Sequence, residues 1–243
     1  MKWFQFSFFL LFVVFCMTSC LEMTERIQLN PDGSSDISLH ISLPDIPDDK
    51  KKSAPAKEKD LDKEVEAVFS SVQKDGLSLK KGREETITGI KYFTLIGSAE
   101  KIYDLKNLYF QMKKGGKNKE EDKSKEAFEE IFSKSRFEVK KTKKGVLQIT
   151  RSFSPPKIKK LKKSSKKVKN QEAELGKELE DAFLNVFRIR FEFHSPTKVV
   201  HSNAPTVFGR DLRWETTLGY LMKNSFDIKI EIESTPELEK GIH

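Results

Sequence analysis

An apolar run from Trp3 to Cys16, closed by Met17-Thr18-Ser19-Cys20, divides this 243-residue chain before any other feature is read. Lys2 is the only charge ahead of the run, and Gln5 and Ser7 are its only polar interruptions. A basic residue, an apolar core and small residues before a cleavage point make up a secretory signal. The run is shorter than the roughly 20 apolar residues a membrane-spanning helix needs, and no second run of that length follows. Residues 1–19 are therefore expected to be removed, leaving 20–243 as a single exported domain. Cys16 leaves with the signal, so Cys20 is the one cysteine of the mature chain. The fold has to form without a disulfide or a metal-thiolate site. More than 200 mature residues are enough chain to bury a core without such staples.

Strand patterning begins just beyond Cys20. Glu22 to Leu29, the turn residues Asn30-Pro31-Asp32-Gly33 and the alternation Ile37, Leu39, Ile41, Leu43 predict a hairpin, with Pro fixing φ and Gly accepting φ > 0. Starting about five residues after Cys20, it leaves a tether of at most roughly 18 Å. A Pro-rich charged loop over 44–59 precedes an apolar helical spacing at Leu61, Val65, Val68, Phe69 and Val72 that ends at Gly76. Strands are expected from Leu77 to about Lys80 and from Glu85 to Ile96, with Lys81-Gly82 in the turn between them. Ser98 then caps a helix carrying Ile102, Leu105, Leu108, Tyr109 and Met112.

A charged stretch over 113–125 leads to a third helix with Ala127, Phe128, Ile131 and Phe132, and then to a hairpin with Phe137, Val139, Val146, Leu147, Ile149 and Phe153. Pro155-Pro156 opens a second charged insertion, 155–169. A fourth helix over 170–184 feeds the alternating Phe187, Ile189, Phe191, Phe193, and the chain closes on Phe226, Ile228, Ile230 and Ile232. The openings Glu66-Ala67-Val68-Phe69, Glu126-Ala127-Phe128 and Asp181-Ala182-Phe183 repeat one helix-then-strand pattern. The expected fold class is α+β: a mainly antiparallel sheet with one layer of about four helices, its polar alternate positions facing water.

Met17-Thr18-Ser19-Cys20 resembles a lipobox, of the relaxed kind found in spirochaete lipoproteins. The resemblance implies that Cys20 becomes the mature N-terminus and carries diacylglycerol. At about 0.8 kcal/mol per buried CH₂, two or three chains on one residue hold it firmly in a bilayer. The opening from Cys20 to Ser34 is similar to the start of many bacterial lipoproteins with an anchored hairpin. The tail, with Pro196, Val199-Val200, Asn203-Ala204 and Leu212-Arg213-Trp214, resembles the end of the LppM-like lipoprotein domain. That resemblance implies a surface or periplasmic lipoprotein and supplies no catalytic residues.

Composition points the same way. Losing Lys2 leaves 44 Lys and Arg against 37 Asp and Glu, a formal charge of +7, which suits anionic surfaces. The excess peaks at Lys157, Lys159, Lys160, Lys162, Lys163, Lys166, Lys167 and Lys169, a run without an acid. Such a run is either a self-repelling solvated loop or an electrostatic contact to a nearby anionic membrane. His40, His194, His201 and His243 lack the spacing of a metal site. No GxSxG, HExxH, phosphate-binding Gly loop or catalytic cysteine occurs. Trp214, among Leu212, Leu218 and Tyr220, is expected to cover the core; its other reading is one wall of an apolar ligand slot.

The sequence therefore leads to a lipid-anchored, exported, non-enzymatic binding or adhesion module without a cofactor or metal, held at the outer membrane or the periplasmic face. Its expected partners are the membrane, through palmitate-bearing Cys20, and an anionic lipid, lipopolysaccharide or acidic glycan, but not nucleic acid. The alternative is a periplasmic accessory lipoprotein that holds a lipid or glycolipid.

Overall fold

The computed structural model describes residues 21–44, 76–87, 89–107, 130–132, 134–142, 145–156, 182 and 184–240. The described residues form eleven strands: β1 (Glu22–Leu29), β2 (Ser35–Pro44), β3 (Leu77–Ile87), β4 (Ile90–Ala99), β5 (Arg136–Lys141), β6 (Val146–Phe153), β7 (Arg188–His194), β8 (Val199–Ser202), β9 (Thr206–Phe208), β10 (Asp211–Thr217) and β11 (Phe226–Glu233). Seven form one sheet in the order β3-β4-β2-β1-β7-β10-β9, and four form a second in the order β5-β6-β11-β8.

The β1–β2 hairpin forms as its residues dictate. Gly33 sits at φ 86°, its amide donates to the Asn30 carbonyl at 3.0 Å, and Asp32 Oδ1 accepts from the Ser34 amide at 2.9 Å. Eight residue pairs follow in register, from Leu29–Ser35 to Glu22–Ser42. On its other side β1 runs parallel to β7, Glu22 beside Arg188 and Gln28 beside His194. The remaining pairings among the described strands are antiparallel.

The expected α+β class, with about four helices layered on one sheet, is overturned. The protein is mostly β, and what covers the inner face of the first sheet is a second sheet. Met23, Ile27 and Leu29 of β1, Ile189, Phe191 and Phe193 of β7, and Leu212 and Trp214 of β10 share one core with Leu147, Ile149 and Phe153 of β6 and Ile228, Ile230 and Ile232 of β11. The rings of Phe153 and Phe191, one from each sheet, lie 5.0 Å apart. Alternation reports which face of a strand is buried, not whether a helix or another sheet buries it. The described helical segments are short: a 3-10 turn over Ile102–Asn107, helices over Leu218–Leu221 and Pro236–Lys240, and the helical residues 130–132, 182 and 184–186, which fall within the expected third and fourth helices. The expected helix over 61–72 and the charged stretch 113–125 lie outside the described residues.

Two local expectations also shift. The turn placed at Lys81-Gly82 is strand instead: β3 runs unbroken to Ile87 and absorbs one extra residue where its register slips between Leu79 and Lys81. A bulge takes up an inserted residue without ending pairing. The reversal falls at Gly89, φ 77°, where a left-handed residue is required. The tether is also shorter than expected, because β1 starts at Glu22.

Candidate functional site

Strand directions sort the sandwich into two ends. Leu21 is buried, and its carbonyl accepts from the Arg188 amide at 3.0 Å. Thr217 pairs with Arg188, Pro44 with Ile90, and Ile90 with Ile87, so these residues share the end that carries Leu21. Thr197 Oγ1 donates to the Glu233 carbonyl at 2.8 Å, just beyond the far end of β7. This fixes the last residue of β11 at the far end and its first, Phe226, at the Leu21 end. Phe153 is the partner of Phe226 and belongs there too. Cys20 and the eight lysines between Lys157 and Lys169 lie outside the described residues. The residues that flank them do not: Leu21, Ser154-Pro155-Pro156 after β6, and Leu184–Val186 before β7 all belong to this end.

Between the sheets, among the described residues, lies a buried pair of opposite charges. Glu25 of β1 is 1% exposed, Arg151 of β6 is 5% exposed, and the guanidinium donates to the Glu25 carboxylate. Arg151 also sits over the Phe153 ring, 4.8 Å from its centroid, and 5.6 Å from that of Phe191. Aromatic faces and a carboxylate together satisfy a guanidinium withdrawn from water. A cavity of about 20 Å³ beside the pair is lined by Phe137, Ile149, Phe193, Trp214 and Ile230 among others. It is about the size of one water. Trp214 itself is buried, as expected, and its indole Nε1 donates to Asn203 Oδ1 at 3.0 Å.

The outer face of the large sheet carries a lattice of polar side chains. The register lines up Arg26, Glu192, Arg213 and Thr206 in one row across β1, β7, β10 and β9, and Gln28, His194, Asp211 and Phe208 in the next. Arg26 Nε is 3.0 Å from Glu192 Oε2, and His194 Nδ1 is 2.8 Å from Asp211 Oδ1. Farther along the face, Arg190 pairs with Glu22 at 2.6 Å, and Arg213 pairs with Glu215 at 2.8 Å. The bond from Arg213 holds the Glu215 carboxyl below the ordinary value of 4.5, helped by the charges of Arg190 and Arg188 and opposed by partial burial. A groove of about 160 Å³ opens over the two rows, with Phe208, 82% exposed, as one wall. Donors and acceptors alternate along its floor beside an aromatic face, so it can seat a small polar group.

No family model matches this chain, and no curated protein does. Among solved structures, the folded domain of the LppM protein of Mycobacterium tuberculosis is similar to it, with 11% identity over 90% of this chain and 93% of that one and a TM-score of 0.48.

Sequence reasoning missed the groove and the buried ion pair. For the pair a signal was present. Glu25 has the parity of Met23, Ile27 and Leu29 along β1, and Arg151 has that of Leu147, Ile149 and Phe153 along β6. Two opposite charges on the apolar parity of two strands are candidates for one buried pair. The groove had no such signal, because its rows exist only once the parallel β1–β7 register is known.

Proposed function

We propose that this protein is an exported lipoprotein, acylated at Cys20, that acts without catalysis as a binding module for anionic envelope or host-surface ligands, at the outer membrane or the periplasmic face. The observation that carries the reading is the place of Leu21. The residue next to Cys20 is already buried and hydrogen-bonded to β7. An acyl chain on Cys20 would then leave the rim of the sandwich about one Cα step of 3.8 Å away, holding the domain against the bilayer.

The basic run supports the choice of ligand. Both described flanks of 157–183 lie at the Leu21 end, so eight lysines are tethered to the side of the domain that faces the bilayer in this reading. Polybasic segments near anionic headgroups gain up to about 1 kcal/mol per charge.

Radiolabelled palmitate tests the anchor. Wild-type protein should incorporate the label and fractionate with membranes, while the Cys20→Ala variant should lose both properties. An unlabelled wild-type protein whose mature chain starts elsewhere would refute the reading.

A further inference from the structure

The Leu21 end carries apolar side chains that the fold leaves bare. Ile87, at the tip of the β3–β4 hairpin, is 53% exposed, and Tyr220 is 47% exposed on a helix whose Leu218, Gly219 and Leu221 are buried. The register fixes the height of Ile87. Glu22 pairs with Ser42, whereas the Ile87–Ile90 pair is level with Pro44, two residues farther along β2. Ile87 therefore reaches the level that Cys20 would occupy if β1 continued. The sheet order also fixes their spread: β3 stands three strand spacings from β1, about 14 Å, and β10, which leads into Tyr220, stands two on the other side, about 10 Å. Arg136, Arg188 and Lys223 are exposed at the same end.

We propose that this end is itself a membrane-contacting surface, with Ile87 and Tyr220 entering the phospholipid headgroup region on either side of the Cys20 anchor. The proposal rests on the lipoprotein reading and adds an orientation to it. An anchor on one short tether leaves the domain free to tilt, whereas two further contacts on opposite sides hold the strands upright. Tyrosine suits this position because its ring is apolar and its hydroxyl stays wet. The exposed basic residues are placed to meet lipid phosphates. Upright strands carry Phe208 and its groove to the end farthest from the bilayer.

The test uses the mature chain's lack of any cysteine but Cys20. A nitroxide is attached through Ile87→Cys, Tyr220→Cys or Phe208→Cys in the acylated full-length protein, reconstituted into vesicles of phosphatidylcholine and phosphatidylglycerol. Collisions with dissolved oxygen and with a water-soluble nickel chelate are then read by power saturation. The expected result is several-fold less nickel contact and more oxygen contact at 87 and 220 than at 208. Equal nickel contact at all three sites would overturn the proposal. So would low contact with both reagents at 87 and 220, which marks burial against protein rather than lipid. Intact mass of the same sample separates the two failures. Acylated protein with wet labels sinks the orientation alone, while protein without diacylglycerol sinks the anchor and the orientation with it.

Discussion

The indole Nε1 of Trp214 donates to Asn203 Oδ1 at 3.0 Å, and the same oxygen accepts from the Lys229 amide at 2.8 Å. Asn203 Nδ2 donates to the Asp227 carbonyl at 2.8 Å. Trp214 belongs to the large sheet, Lys229 and Asp227 belong to the small one, and Asn203 lies where the chain crosses from β8 to β9. One amide thus ties the crossing to both sheets.

Asn203→Ala is expected to cost about 1–3 kcal/mol, because a buried indole N–H and a strand amide lose their acceptor together. Trp214→Ala should cost about 3–5 kcal/mol, the range for truncating a buried large aromatic. The two losses should be less than additive in a double-mutant cycle read by urea unfolding, since both variants delete the shared bond. Strict additivity would show that the bond carries no coupling.

The Glu25–Arg151 pair leads to a sharper expectation. Arg151→Met removes a guanidinium that donates to a carboxylate 1% exposed, and removing one partner of a buried ion pair costs about 3–5 kcal/mol. Adding Glu25→Leu should restore most of that loss, because an apolar pair of similar volume is often neutral or better. Thermal and urea unfolding of the two variants measure this. If the double variant were no more stable than Arg151→Met, the pair would not act as a unit.

Glu215 should show its partner in its titration. Its carboxyl lies below the ordinary value chiefly through the bond from Arg213. A lowered folded value means the interaction stabilises above the unfolded value and is lost as pH falls through the folded one. The contribution is small, under about 1 kcal/mol, because the pair is solvent-screened. Carbon-detected NMR should find the Glu215 midpoint below 4.5, and Arg213→Ala should move it upward. An unmoved midpoint would assign the shift to another cause.

How far the sequence could be read depended on the range of the interaction. The β1–β2 hairpin was legible because Asn30-Pro31-Asp32-Gly33 and the flanking alternation lie within one short segment. The burial of Trp214 and of Phe191, Phe193, Ile228, Ile230 and Ile232 was legible from parity and hydrophobicity. The choice between one sheet and two was not. Nothing in Val146–Phe153 says that it pairs with Phe226–Glu233 rather than with the first sheet, and nothing in β1 says that its second neighbour is a strand 166 residues later. The β3–β4 turn was misplaced because Gly82 carries as strong a turn signal as Gly89, and only pairing with β4 decides between them.

The basic run offers the last prediction. Lys157, Lys159, Lys160, Lys162, Lys163, Lys166, Lys167 and Lys169 contain no acid among them, and both described flanks of the segment sit at the Leu21 end. If the run meets anionic headgroups, binding of the Cys20→Ala protein to phosphatidylglycerol vesicles should fall steeply between low and physiological salt, since exposed charges are screened within about 8 Å. Removing the acyl chain in this way leaves only the protein's own contacts to be measured. Replacing the eight lysines with glutamine should abolish that binding yet hardly move the melting temperature. Equal binding by the glutamine variant would assign the run to a linker and the attraction to Arg136, Arg188 and Lys223. Triple substitution of those residues, by the same assay, is expected to weaken binding only modestly.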